Sequence, residues 1–162
     1  KGRCNVCHVG PAFTNGEFAD LGLPHFVHGG IPDQGRWGGI KQLRASPFNL
    51  LGAYTDDLEG PGAQRTRRVT LPPRNFGEFR VPSLRNLGTT APYMHDGSLA
   101  TLADVVHHYS ELNEERLHSE GAKLLRPLRL SPDEIDALVA FLDALNGPVN
   151  APSPGSRCSN DS

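Results

Sequence analysis

Apolar residues recur with helical spacing in two parts of the chain. The first apolar face consists of Leu102, Val105, Val106, Tyr109 and Leu112. Thr101 directly precedes this face and Asp104 follows three residues later, a pairing typical of a helix N-cap. The pattern therefore predicts a helix that begins at Leu102.

The second predicted helix has an even clearer start. Ser131 is placed at the N-cap, Pro132 at the first helical position and Glu134 at the third. Its apolar stripe consists of Ile135, Leu138, Val139, Leu142 and Leu145. Asn146-Gly147-Pro148 follows the stripe and is expected to end the helix.

Residues 17–76 show no lasting periodicity and few strand signals. Glycine and proline recur every few positions there, and the whole chain holds 18 Gly and 14 Pro. We expect mostly loop, with short helical turns such as one over residues 49–54. Long loops in a small domain usually surround something, and a prosthetic group would qualify. The predicted fold class is mostly α, with long loops.

Composition excludes several classes of protein. The chain has 162 residues, 37% of them hydrophobic, and a formal net charge of −2, which suits one globular domain without a nucleic-acid partner. No apolar run approaches the ~20 residues of a membrane span. The three cysteines, Cys4, Cys7 and Cys158, are too few and too unevenly placed for a disulfide framework. With neither an initiator Met nor a signal peptide, the chain is expected to be a mature form or a fragment.

Cys4-Asn5-Val6-Cys7-His8 is the strongest chemical signal, because C-x-x-C-H is the attachment sequence of a c-type haem. Two cysteines three residues apart lie on one side of a helical turn, where both sulfurs can form thioethers, and the adjacent imidazole can bind iron. A thioredoxin-like redox pair would need a βαβ setting that the sequence does not indicate. A zinc site could recruit His25 and His28, but the spacing is not that of a zinc finger. One covalent haem c is the predicted cofactor.

Several residues are candidates for the second axial ligand of the iron: Met94, His95, His107, His108 and Tyr109. Met94 is the only methionine and would give an electron-transfer haem of raised potential. Spacing alone favours Tyr109 as a core residue. His107 and His108 flank the apolar stripe and are expected to be solvated, as is the basic run Arg65, Arg67, Arg68 and Arg74.

Two segments resemble the C-terminal haem domain of di-haem cytochrome c peroxidases, a family that includes MauG. They read F-R-V-P-S-L-R-N at residues 79–86 and T-A-P-Y-M-H-D-G at residues 90–97. Gly10-Pro11 and Phe13-Thr14 after the haem motif, and Asp33-Gln34-Gly35-Arg36, also fit the family. The resemblance covers about residues 4–147. It implies a cytochrome c-like haem domain over residues 1–147, followed by a flexible tail at 148–162.

The resemblance changes the expected ligands. It implies His8 as the proximal ligand and places the distal ligand at Tyr109, as in MauG-like members, with Met94 as the alternative. A phenolate is a hard anionic donor that favours Fe(III) and higher states. Tyr109 is therefore the expected catalytic residue of a haem that stores oxidising equivalents.

Further site residues are implied in the same way. The family binds a calcium ion partly through backbone carbonyls, which here are those of Thr90 and Pro92, suitable hard ligands. The remaining protein ligand would come from another domain. Arg80, Arg85 and His95 are candidates either for binding haem propionates or for tying down loops.

The resemblance also implies that the second haem domain of the family is absent from this sequence. The peroxide-reactive haem of the family lies in an N-terminal domain with its own C-x-x-C-H, whereas this sequence has one such motif. The helix that normally precedes the cysteines is likewise missing. We expect either a chain cut before Lys1 or a second haem domain on another polypeptide.

The expected function is to relay or store oxidising equivalents between that other haem and a redox protein or protein substrate, in the periplasm. The isolated chain would then perform electron transfer only. The alternatives are a self-contained mono-haem electron carrier with His8–Met94 ligation, and a non-haem zinc module. Cys158 would stay free or form an intermolecular disulfide.

Overall fold

Four helices and a two-stranded sheet make up the described part of the chain. The computed structural model describes residues 2–22, 33–113 and 125–147. The helices are α1 (Arg36–Ala45), α2 (Pro61–Arg67), α3 (Leu102–Ser110) and α4 (Pro132–Ala144), and the strands are β1 (Phe18–Asp20) and β2 (Glu78–Arg80). Short 3-10 turns cover Cys4–Val6, Pro73–Asn75 and Leu87–Thr89. The predicted tail with Cys158, as well as His25 and His28, lies outside the described residues.

Across these ranges, no helix has the length and apolar character that a membrane crossing requires.

Both helices predicted from apolar spacing are confirmed, together with their caps. The Thr101 side chain accepts a hydrogen bond from the Asp104 backbone N–H, and the Thr101 N–H donates to the Asp104 carboxylate at 2.9 Å. Ser131 and Glu134 form the same reciprocal pair at the start of α4. These bonds satisfy backbone donors that the first turn of a helix leaves free.

The apolar faces of α3 and α4 pack against each other and form the core. Its buried members are Leu102, Val106, Ile135 and Leu142. Leu84, Leu87 and Tyr93 pack against this cluster and bring the segment between β2 and α3 onto the helix pair. The core therefore fixes the 79–97 segment, whose sequence carries the family resemblance.

Residues 17–76 were expected to be mostly loop with short helical turns, and this expectation is wrong where α1 and α2 lie, whereas residues 49–54 form turns and bends and no helix. Each helix buries a single residue, Ile40 in α1 and Ala63 in α2, and so neither shows an apolar stripe. Tertiary contacts stabilise α1 instead. Arg36 lies 3.3 Å from the Glu78 carboxylate and places its guanidinium over the Phe18 ring.

The small sheet links the residues that follow the haem motif to β2. Ala19 pairs with Phe79 in antiparallel register. The Val81 N–H donates to the Glu17 carbonyl at 2.8 Å, and the Thr14 hydroxyl donates to the Val81 carbonyl at 2.7 Å. Three-residue strands are too short to show the alternation that identifies a strand in a sequence.

Gly35 explains how closely α1 approaches β2. Its φ of 54° lies in the left-handed region, and a side chain there would collide with the Glu78 carbonyl. Only glycine fits both conditions, which gives a structural reason for the glycine in Asp33-Gln34-Gly35-Arg36.

Candidate functional site

The haem motif forms a single tight turn. The backbone N–H groups of Cys7 and His8 both donate to the Cys4 carbonyl, at 3.3 and 2.8 Å. Both thiols are free; Cys4 is exposed and Cys7 half-buried. Burial, followed by the neighbouring Cys4 thiol, raises the pKa of Cys7. The turn thus presents two unpaired thiols and one imidazole together, an arrangement that fits thioether attachment of a haem.

The imidazole of His8 is oriented by one hydrogen bond. Its Nδ1 lies 2.9 Å from the Phe13 carbonyl oxygen. Because a carbonyl only accepts, Nδ1 carries the proton and Nε2 keeps its lone pair. Such a bond fixes both ring orientation and tautomer in metal-binding histidines. His8 is therefore prepared to bind a metal through Nε2.

The loop that supplies the Phe13 carbonyl is clamped by the segment after β2. The Ser83 hydroxyl donates to the Ala12 carbonyl and Arg85 Nε to the Pro11 carbonyl, each at 2.6 Å. The Arg85 guanidinium also lies over the Phe13 ring. Sequence reasoning missed this support of His8, although Ser83 and Arg85 belong to the quoted F-R-V-P-S-L-R-N segment.

Arg85 therefore performs the loop-anchoring role that the sequence left open beside propionate binding. Phe13 also meets the Phe141 ring of α4 edge to face, with centroids 6.0 Å apart. The other arginine of this group, Arg80, is exposed on β2.

Tyr109 lies close enough to the cysteine turn to interact electrostatically with its two thiols. It is half-buried near the end of α3. Burial raises the pKa of Tyr109 to about 12, and the nearby Cys4 and Cys7 thiols add to this shift. Tyr109 is thus a neutral phenol at pH 7, near the Cys4 and Cys7 thiols.

The segment after α3 reinforces this proximity. The Leu128 N–H donates to the Tyr109 carbonyl at 3.2 Å. A Cβ at Gly2 would lie 3.5 Å from Leu128 and 3.0 Å from the Cys4 sulfur. Leu128 therefore bridges the end of α3 and the start of the haem motif.

The prediction that His108 is solvated is wrong. Its Nε2 donates to the Leu21 carbonyl at 3.0 Å, and its ring stands edge-on to Tyr109 at 5.4 Å. Helical spacing could not reveal this contact, because Leu21 is 87 residues away in sequence. His107 is exposed, as expected.

The segment between β2 and α3 contains Thr90, Pro92 and Met94. Met94 is half-buried with φ of 70°, whereas Thr90 and Pro92 are exposed. The carbonyls of Thr90 and Pro92 accept no hydrogen bond from any residue that the structure describes. Both oxygens therefore remain available to a hard cation such as calcium.

The two ring nitrogens of His95 are buried without a hydrogen-bond partner among the described residues. Its side chain is only 11% exposed, and neither ring nitrogen has a partner within the described ranges. The ring stacks on Phe79 with centroids 3.6 Å apart, and Nε2 lies 4.0 Å from an Asp33 carboxylate oxygen, too far for a hydrogen bond. A buried unpaired polar group costs about 1–3 kcal/mol, so the position favours a hydrogen-bond partner beyond the residues that the structure describes.

The zinc alternative would combine Cys4 and Cys7 with two histidines that the structure does not describe. Among residues 2–22, 33–113 and 125–147, no three His, Cys, Asp or Glu side chains lie together as metal ligands. His25 and His28 lie outside these ranges.

Comparison with known proteins identifies relatives over most of this chain. Cytochrome-c peroxidase IdrP1 of Pseudomonas sp. (strain SCT) is 34% identical over 156 residues, which cover 90% of this chain and 37% of that protein. Methylamine utilization protein MauG of Methylorubrum extorquens is 44% identical over 145 residues, covering 90% of this chain and 31% of that protein. No protein-family model matches the chain.

A solved structure agrees with these relatives. The crystal structure of a MauG-like protein associated with microbial copper homeostasis is 27% identical, with a TM-score of 0.54, and covers 88% of this chain and 39% of that one. The chain therefore spans between about a third and two fifths of the length of the proteins it matches.

Proposed function

We propose that this chain, which belongs to the cytochrome c peroxidase and MauG family, carries one covalent haem c within residues 1–147. Cys4 and Cys7 would provide the thioether sulfurs, His8 the proximal ligand and Tyr109 the distal ligand. The observation that carries the proposal is the hydrogen bond from His8 Nδ1 to the Phe13 carbonyl, which leaves Nε2 free beside two unpaired thiols.

The function we infer is to relay or store oxidising equivalents between a peroxide-reactive haem outside this chain and a substrate or redox partner. A bound haem supplies one-electron oxidation and reduction at its iron. The chain would supply the ligands: His8 would bind through Nε2 while the Phe13 carbonyl keeps the proton on Nδ1, and Tyr109 would offer an anionic oxygen after losing its proton. Because burial raises the pKa of Tyr109 to about 12, binding as a phenolate at neutral pH would require the metal to displace the proton.

The carbonyls of Thr90 and Pro92, which accept no hydrogen bond from a described residue, support a calcium site in the exposed segment before Met94. Covalent haem attachment also supports a periplasmic or other extracytoplasmic location.

If the peroxide-reactive haem lies outside this chain, we expect this chain alone to react only weakly with peroxide. If His8 and Tyr109 both bound the haem iron, they would leave no ligand position for peroxide. We expect the haem-loaded chain to turn over hydrogen peroxide more slowly than a short haem-bearing Cys-x-x-Cys-His peptide, measured with the same electron donor. Turnover equal to or faster than that of the peptide would show that the chain needs no second haem.

The His95 imidazole, which has no hydrogen-bond partner among the described residues, supports a role in binding a haem propionate. His95→Phe keeps the stack on Phe79 but removes both nitrogens. If His95 donates a hydrogen bond to a propionate, the variant leaves more negative charge near the iron, and its midpoint potential falls in a spectroelectrochemical titration. His95→Gln retains a donor and should restore part of the shift. If His95 is only a core residue, the potential of His95→Phe stays unchanged and the unfolding free energy rises by about 1–3 kcal/mol.

A further inference from the structure

The Phe13 carbonyl, which orients His8, belongs to a strained turn of the backbone. Phe13 has a φ of 50°, in the left-handed region that residues other than glycine rarely adopt. Within the turn, the Phe13 N–H donates to the Gly10 carbonyl at 3.0 Å and the Thr14 N–H to the Val9 carbonyl at 3.1 Å. Backbone strain of this kind persists only where the surrounding structure holds it. The orientation of the Phe13 carbonyl therefore depends on contacts from outside the turn.

Two side chains from the segment after β2 supply such contacts. The Ser83 hydroxyl donates to the Ala12 carbonyl and Arg85 Nε donates to the Pro11 carbonyl, each at 2.6 Å. The Ser83 oxygen also accepts from the Arg85 backbone N–H at 3.1 Å, which joins the two donors. Together they hold the two carbonyls that directly precede that of Phe13. We call this pair of side chains the clamp.

The ring of Phe13 is held by two further contacts. The Arg85 guanidinium carbon lies 5.3 Å from the ring centroid, and the Phe141 ring of α4 meets the Phe13 ring edge to face at 6.0 Å. Arg85 thus contacts both the backbone before Phe13 and the Phe13 side chain.

The segment that carries the clamp is itself fixed to the rest of the chain. The buried residue Val81 donates its N–H to the Glu17 carbonyl at 2.8 Å and accepts from the Thr14 hydroxyl at 2.7 Å. Leu84 packs against the core between α3 and α4. Because these contacts do not involve the Ser83 or Arg85 side chain, we expect the segment to stay in place when either side chain is replaced.

We propose that Ser83 and Arg85 are positioning residues that set the donor strength of His8 through the Phe13 carbonyl. A hydrogen bond from the second ring nitrogen raises the basicity of a metal-binding imidazole. A more basic imidazole stabilises Fe(III) relative to Fe(II) and lowers the reduction potential. The inference rests on the proposed haem ligation by His8 and assigns a role to two side chains that act on that ligand from a distance.

Loss of the clamp and loss of a charge shift the potential in opposite directions. A weaker bond from His8 Nδ1 to Phe13 makes His8 a poorer donor and raises the midpoint potential. Removal of the positive charge of Arg85 favours the more positive Fe(III) and would by itself lower the potential. Because Arg85 is exposed, water and salt screen its charge, and the effect of the clamp should dominate.

Spectroelectrochemical titration of the haem-loaded chain tests the proposal. Ser83→Ala changes no charge, and we expect it to raise the midpoint potential by about 59 mV, which is an about tenfold change in the one-electron reduction constant. Ser83→Thr retains the hydroxyl and should restore most of the original potential. Arg85→Gln should also raise the potential, although by less than Ser83→Ala.

Thr55→Ala is the matched control. The Thr55 hydroxyl donates to the Asn49 carbonyl at 3.1 Å, between α1 and α2, so this variant loses the same kind of bond outside the clamp. Its potential should equal that of the unmodified chain. The proposal is wrong if Ser83→Ala leaves the potential unchanged, if Arg85→Gln lowers it, or if Thr55→Ala shifts it as much as Ser83→Ala does.

A readout that needs no haem separates this proposal from the proposed function. The nitrogen chemical shifts of the His8 imidazole, recorded without haem at about pH 8 where the ring is neutral, report which nitrogen carries the proton. The Nδ1–H form should predominate in the unmodified chain and decline in Ser83→Ala and Arg85→Gln. If these shifts change as expected but the chain acquires no haem, the proposed function alone is wrong. If the chain acquires haem but neither variant alters the potential or the His8 proton, the positioning role alone is wrong.

Discussion

Replacing both Cys4 and Cys7 by serine abolishes covalent haem, from one haem per chain to none, when the protein is produced with a c-type haem maturation system. The hydroxyl groups cannot form the thioethers, although the turn can still form, because it depends on backbone bonds to the Cys4 carbonyl. The readout is the mass of the denatured chain together with its Soret absorbance.

Cys158→Ser is the matched control. It removes the same chemical group from a position outside the motif, and it should leave the haem content unchanged. Covalent haem in the double variant, or its loss in the Cys158 variant, would show that Cys4 and Cys7 are not the attachment residues.

The second large effect is expected from Tyr109→Phe. The substitution keeps the ring within the half-buried site and removes only the oxygen. Loss of a phenolate ligand should remove phenolate-to-iron charge transfer from the ferric spectrum. The midpoint potential should rise by roughly a few hundred millivolts, a fraction of the about 0.8 V that axial ligands span.

Tyr93→Phe provides the control for a general tyrosine effect. The Tyr93 hydroxyl donates to the Leu87 carbonyl at 2.9 Å, so the variant loses about 1 kcal/mol of unfolding free energy. Its haem spectrum and potential should match those of the unmodified chain. If Tyr109→Phe behaves in the same way, Tyr109 is a core residue and not a ligand.

The sequence predicted the parts of the fold that depend on local signals. Both capped helices are predictable because the two residues of each cap lie within four positions of each other in the sequence: Thr101 with Asp104, and Ser131 with Glu134. Helices α1 and α2 were missed because each buries one side chain and depends on distant partners, such as Glu78 for Arg36.

In the candidate site, too, local features can be predicted from the sequence and distant contacts cannot. The C-x-x-C-H motif is contiguous, so the sequence alone identifies it. The Phe13 carbonyl that orients His8 could not be recognised, because a backbone acceptor has no sequence signature and its clamp, Ser83 and Arg85, lies some 70 residues away. The isolated imidazole of His95 likewise follows from its stack on Phe79 and from its distance to Asp33, which only the structure gives.

The most direct measurement of the central claim is the ferric spectrum of the haem-loaded chain, followed during reductive titration. Ligation by His8 and Tyr109 predicts no weak band at about 700 nm and a haem that resists mild reductants. A band at about 700 nm that disappears in Met94→Leu, together with easy reduction, would contradict this account and establish His8–Met94 ligation instead.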